Sequence, residues 1–100
     1  MYGTVALVYP KPDKEQELFA LVEKWWTERR PKVQGAVSST LSRQDINPGE
    51  LLLAVIFESK EAYEANANDP EQNAWFQQMM ACCVKEPRWF DGEVVQHYHV

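Results

Sequence analysis

Residues Leu51–Phe57 (LLLAVIF) form an unbroken apolar run rich in strand formers. A strand with one face in water alternates apolar and polar residues, so this run reads as a strand covered on both faces. Tyr2–Tyr9 (YGTVALVY) reads as an earlier strand, ended by Pro10 and Pro12. Asp13 and Gln16 then resemble a capping box. Leu18, Leu21, Val22, Trp25 and Arg29 follow at helical spacing, with Phe19 and Trp26 widening the stripe, and Pro31 stops the helix. Val33–Arg43 reads as a second strand, and Asn47-Pro48-Gly49 is the turn into the apolar run.

A second helix reads as broken. Ser59 caps a short stretch to about Asn66. Asp69-Pro70-Glu71-Gln72 restarts it, with Asp69 as cap and Pro70 at the first helical position. Trp75, Phe76, Met79, Met80 and Cys83 form its apolar stripe, and Pro87 ends it. Asp91-Gly92 reads as a turn and Glu93–Val100 as the last strand. The order is strand, helix, strand, strand, helix, strand: an α+β, ferredoxin-like βαββαβ arrangement, with a four-stranded antiparallel sheet and helices on one face. Two helices cover one face of such a sheet. The apolar run demands cover for the other, and the economical cover is the sheet of a second copy. The expected state is therefore a homodimer whose facing sheets enclose space for a small molecule.

The 100 residues fit one domain, residues 1–100, without linker or repeat. A net charge of −5 and no basic cluster longer than Arg29-Arg30 exclude nucleic acid as an expected partner. No apolar run approaches the roughly 18 residues of a membrane span. No basic stretch precedes the first apolar segment, so secretion is not indicated. The two cysteines, Cys82 and Cys83, are sequence neighbours, which seldom form a disulfide of good geometry. They read as reduced thiols, and a cytoplasmic location is expected.

Candidate chemistry is sparse. His97 and His99 are the only histidines. Two positions apart on the expected last strand, they share a face and offer a proton-transfer pair; a frayed strand in solvent gives the same sequence. A metal would need a third ligand, and no spacing to Cys82, Cys83 or Glu93 supports one, so no metal site is expected. Ser38 and Thr40 belong to a small, hydroxyl-bearing face of the second strand, which lines a pocket or faces water. Four tryptophans are dense for this length, and Trp75 suits either a flat ligand or the core. Tyr63 and Asn66 lie where the broken helix changes direction, a place where backbone groups border pockets. Arg88 offers a cation for an enolate or carboxylate, or is an exposed loop residue. Glycine-rich phosphate loops and nucleophile elbows are missing, so flavin and nicotinamide have no support in the residues.

The chain resembles the dimeric α/β-barrel superfamily, and within it the antibiotic-biosynthesis-monooxygenase-like small proteins. The likeness is carried by Tyr2–Tyr9, by Phe57-Glu58-Ser59-Lys60-Glu61-Ala62-Tyr63-Glu64-Ala65-Asn66, by Asp69-Pro70-Glu71-Gln72 with Trp75, and by Pro87-Arg88-Trp89-Phe90-Asp91-Gly92-Glu93. It implies the fold above and a cofactor-independent monooxygenase acting on a small aromatic or quinol-type compound. In that reading His97 or His99 is the base, Asn66 or Arg88 stabilises an oxyanion, and Tyr63 and Trp75 hold the ring. The other class it leaves open is a non-catalytic small-molecule-binding or accessory dimer. Haem-degrading relatives carry a histidine on the second long helix; here Glu71–Val84 has none, and Thr4 and Ala6 stand near the place of their first-strand asparagine. Neither haem nor flavin is expected, and no other cofactor.

Overall fold

A computed structural model describes residues Met1–Val100. Strand β1 is Tyr2–Val8 and helix α1 is Glu15–Lys24. The pair β2 (Ala36–Arg43) and β3 (Leu51–Phe57) follows, then helices α2 (Lys60–Ala67) and α3 (Pro70–Ala81), then β4 (Arg88–Glu93). The strands form one antiparallel sheet in the order β2-β3-β1-β4. This is the ferredoxin-like arrangement.

Local chemistry accounts for most element ends. Ser59 Oγ accepts from the Ala62 amide at 3.1 Å and starts α2. Asp69 Oδ1 accepts from the Glu71 amide at 2.8 Å and starts α3, with Pro70 supplying a preset φ where no amide is needed. Asp13 does not cap α1. It lies inside a 3₁₀ turn, Pro12–Lys14, that leads into the helix, whose N-cap is Lys14 without a side-chain bond. Beyond Lys24 the helix widens into a π turn, Trp25–Arg29, and ends in a 3₁₀ turn holding Pro31. The second strand begins at Ala36, not Val33. Gly35 takes φ 87°, a conformation open to glycine, and a Cβ there would stand 2.8 Å from that of Ala62.

Register assigns each residue to a face. Thr4, Ala6 and Val8 of β1, with Leu51, Leu53, Val55 and Phe57 of β3, point toward the helices. Ala6, Val8, Leu51 and Leu53 pack there with Leu18, Met79, Cys82 and Cys83 as the core. The other face carries Val5, Leu7, Leu52, Ala54, Ile56 and Phe90. No helix of the chain covers it: Val5 is 45% and Phe90 51% exposed. Within one chain, therefore, Leu51–Phe57 is covered on one side only.

The last strand departs from the sequence expectation. It is Arg88–Glu93, and Asp91-Gly92 lies inside it rather than at a turn. Local turn chemistry is overridden by the edge of β1, which pairs from Tyr2↔Glu93 to Leu7↔Arg88. The Val94 amide donates to the Met1 carbonyl at 3.0 Å, and the residues after it leave the sheet as an exposed tail.

Candidate functional site

A cavity of about 380 Å³ opens between the sheet and the helices, at the end of the layer away from the packed core. The sheet contributes Thr4, Ser39, Leu53, Val55, Phe57, Trp89 and Asp91 to its lining. Its walls are aromatic, with Trp25 from the widened end of the first helix and Trp75 and Phe76 from α3. Phe76 and Trp89 stand 6.1 Å apart between ring centroids.

Hydrogen bonds hold these rings. The Trp25 indole N–H donates to Gln72 Oε1 at 2.6 Å, and the Trp75 indole N–H donates to the Leu21 carbonyl at 2.8 Å. Each bond joins α1 or its π extension to α3, so the rings cannot turn to fill the space without losing a partner.

Thr4, Tyr63 and Asp91 form the polar corner. Thr4 and Asp91 are opposite each other on paired strands. The Tyr63 hydroxyl donates to Asp91 Oδ1 at 3.0 Å. Its ring leans on Tyr2 and Phe57, with centroids 5.3 and 5.6 Å away. Burial, reinforced by the bond to Asp91, pushes the Tyr63 phenol up to about 12. Tyr63 is thus a neutral donor across the physiological range. Thr4 is only 5% exposed; its hydroxyl oxygen is buried near the Tyr63 hydroxyl but makes no hydrogen bond of good geometry.

A buried cation braces the roof. Arg29, 8% exposed, donates to Glu71 Oε2 at 2.8 Å and to Asn66 Oδ1 at 2.9 Å, with Asp69 Oδ2 at 3.8 Å. It ties the end of the first helix to the α2–α3 junction. A guanidinium only donates, so it fixes the Asn66 carbonyl toward itself and leaves the Asn66 amide N–H groups for another acceptor.

Of the residues singled out in the sequence, Tyr63, Asn66 and Trp75 come together in this lining. Ser38 and Thr40 do not; they pair with Ile56 and Ala54 on the uncovered face. A bulge between Ala36 and Ser38 breaks the alternation, and Ser39 is the hydroxyl that enters the cavity. Arg88 pairs with Leu7 on the uncovered face and stands over the Phe90 ring at 5.2 Å. His97 and His99 lie 6.0 Å apart on the exposed tail and line no part of the cavity. Nowhere do three or more His, Cys, Asp or Glu side chains meet in a group able to hold a metal ion.

Asp91, Thr4 and Gln72 are not singled out by the sequence as site residues, and Trp89 only as one of four tryptophans suited to a flat ligand. Asp91 and Trp89 were hidden by the expected turn. Thr4 carried a signal: it shares the face of Ala6 and Val8, and a polar residue on a buried strand face invites a question.

The architecture is that of a small α+β domain with an aromatic cavity between helices and sheet. No protein-family model matches the sequence, and no curated protein does. Solved structures do match. A Caulobacter crescentus protein with the provisional name antibiotic biosynthesis monooxygenase superposes with a TM-score of 0.83 at 17% identity, over 95% of this chain and 90% of that one. A Mycobacterium tuberculosis protein gives 0.80 at 20% identity over 98% of each chain. A Deinococcus radiodurans protein with the same provisional name gives 0.80 at 12% identity, over 100% of this chain and 98% of that one. The chain shares the fold of the antibiotic-biosynthesis-monooxygenase-like proteins. No helix is long and apolar enough to cross a membrane.

Proposed function

We propose that this chain is a homodimeric, cofactor-independent monooxygenase-like enzyme acting on a small flat aromatic or quinol-type compound. The observation that carries the reading is the cavity: aromatic walls, two of them pinned by hydrogen bonds, border a polar corner with one exposed carboxylate and one neutral phenol. Asp91 and Tyr63 are the only ionisable groups in its lining. Asp91 is therefore the base that takes a proton from an activated C–H of the substrate, in place of the tail histidines. Tyr63, and the Asn66 amide fixed by Arg29, donate to the oxyanion that develops. The substrate carbanion passes an electron to dioxygen, and the two radicals join as a peroxide. Its O–O bond breaks as the second C–H proton leaves. A CH₂ group and O₂ become C=O and water, one oxygen atom in each product.

The homodimer reading rests on the uncovered face. Its apolar residues from Val5 to Phe90 are those an apposed sheet would bury. Sedimentation at micromolar concentration should give twice the chain mass, and Ile56→Lys should abolish it. A wild-type monomer contradicts this part.

The functional test is oxygen consumption across anthrone-like polycyclic phenols, whose keto form offers the CH₂ group that the reaction oxidises, with simple hydroquinones, which lack it, as the comparison. Wild-type uptake should fall by about 10²–10⁴-fold in Asp91→Asn and survive the double change of His97 and His99 to Gln. A second reading, a non-catalytic binding dimer, is favoured by the position of the histidines. They are the only imidazoles of the chain, and they stand outside the cavity. Stoichiometric binding without oxygen uptake would select it.

A further inference from the structure

The cavity has a sign. Among its lining residues Asp91 is the only one with a formal charge, and there is no lysine, arginine or histidine. Trp25, Trp75, Phe76 and Trp89 add the electron-rich faces of aromatic rings. Arg29 is the cation behind the roof, but Glu71 at 2.8 Å and Asp69 at 3.8 Å compensate it. The chain as a whole carries a net charge of −5, so its long-range field has the same sign as the site.

We infer that the cavity selects by charge: it takes flat aromatic ligands that are neutral or cationic and rejects those bearing a carboxylate, with Asp91 as the determining residue. The inference rests on the aromatic-cavity reading and adds its selectivity. A carboxylate entering beside Asp91 meets a like charge and finds no lining cation to pair with, and because Asp91 is exposed on β4 the repulsion is moderate and screened by salt. A phenol or an ammonium group meets a free acceptor on Asp91, whose carboxylate has room beyond the one bond from Tyr63. An ammonium gains in addition from the ring faces.

The test uses three probes of one shape, 2-naphthylmethylamine, 2-naphthol and 2-naphthoate, with binding measured by calorimetry at neutral pH. In the wild type the amine and the naphthol should each bind at least about tenfold tighter than the naphthoate. Asp91→Asn, which keeps the shape and an acceptor for Tyr63, should reduce the gap severalfold by strengthening the naphthoate. Raising the salt should narrow the wild-type gap, so the wild type alone decides the matter if the variant does not fold. Naphthoate binding as tightly as naphthol would overturn the charge inference and leave the aromatic cavity standing. A gap that neither the substitution nor salt alters would also overturn it. Failure of all three probes to bind would overturn both readings.

Discussion

The layer between helices and sheet has two ends, built from the same strands and yet unlike. At one end Ala6, Val8 and Leu51 meet Leu18 and Met79, and the space is filled; Leu53 stands at the boundary, in the core and in the cavity lining. At the other, the next positions on the same strand faces are Thr4, Val55 and Phe57, and a cavity remains. The difference lies in what the helices bring. Leu and Met have rotamers that interdigitate. The indoles of Trp25 and Trp75 are broad, rigid and tied by their N–H groups to the neighbouring helix. A hole thus survives where large flat side chains are hydrogen-bonded in place, and it closes where flexible aliphatic ones meet.

Substitutions can break or sharpen that contrast. Leu18→Ala at the filled end should cost about 2–5 kcal/mol in denaturant unfolding, because a completely buried side chain is removed from close packing. Val8→Thr should cost roughly 1–3 kcal/mol, since it places a hydroxyl at a fully buried position of the apolar core. At the open end Tyr63→Phe should act through pH. The phenol is raised from 10.0 to about 12 in the folded chain. Its stabilising contribution is complete below pH 10, where both states hold the proton, and is lost as pH rises toward 12, because the unfolded chain ionises first. The stability gap between wild type and Tyr63→Phe should narrow over that window, and a spectrophotometric titration of the variant should lack one late-ionising tyrosine. The smallest effect is the reciprocal swap, Thr4→Val. It removes a buried hydroxyl that makes no hydrogen bond of good geometry and should leave stability unchanged or raise it by up to about 1 kcal/mol. Equal losses for Val8→Thr and Thr4→Val would erase the distinction between the ends.

The fold was legible because periodicity and caps are local. The run Leu51–Phe57, the caps Ser59 and Asp69 and the stop at Pro31 all act within a turn or a strand. The site was legible only where it followed from such marks: Tyr63, Asn66 and Trp75 flank the break between α2 and α3. The Asp13 capping box failed locally, since a 3₁₀ turn takes its place, but what failed in the site was non-local. Asp91-Gly92 has turn chemistry, and only its pairing with Thr4 and Gly3 across the edge of β1 makes it strand. Moving the strand to Arg88–Glu93 brought Trp89 and Asp91 into the cavity and left His97 and His99 on the tail. Ser38 and Thr40 do share a face, but the bulge after Ala36 breaks the strand's alternation, and nothing local says which face the helices cover.

The most direct measurement follows the four indole N–H signals of Trp25, Trp26, Trp75 and Trp89 by ¹H–¹⁵N NMR while 2-naphthol is added. The cavity account expects saturable shifts for Trp25, Trp75 and Trp89, with Trp26, which is not in the lining, moving least. Shifts confined to Trp26 and the tail histidines, or none at all, would contradict it.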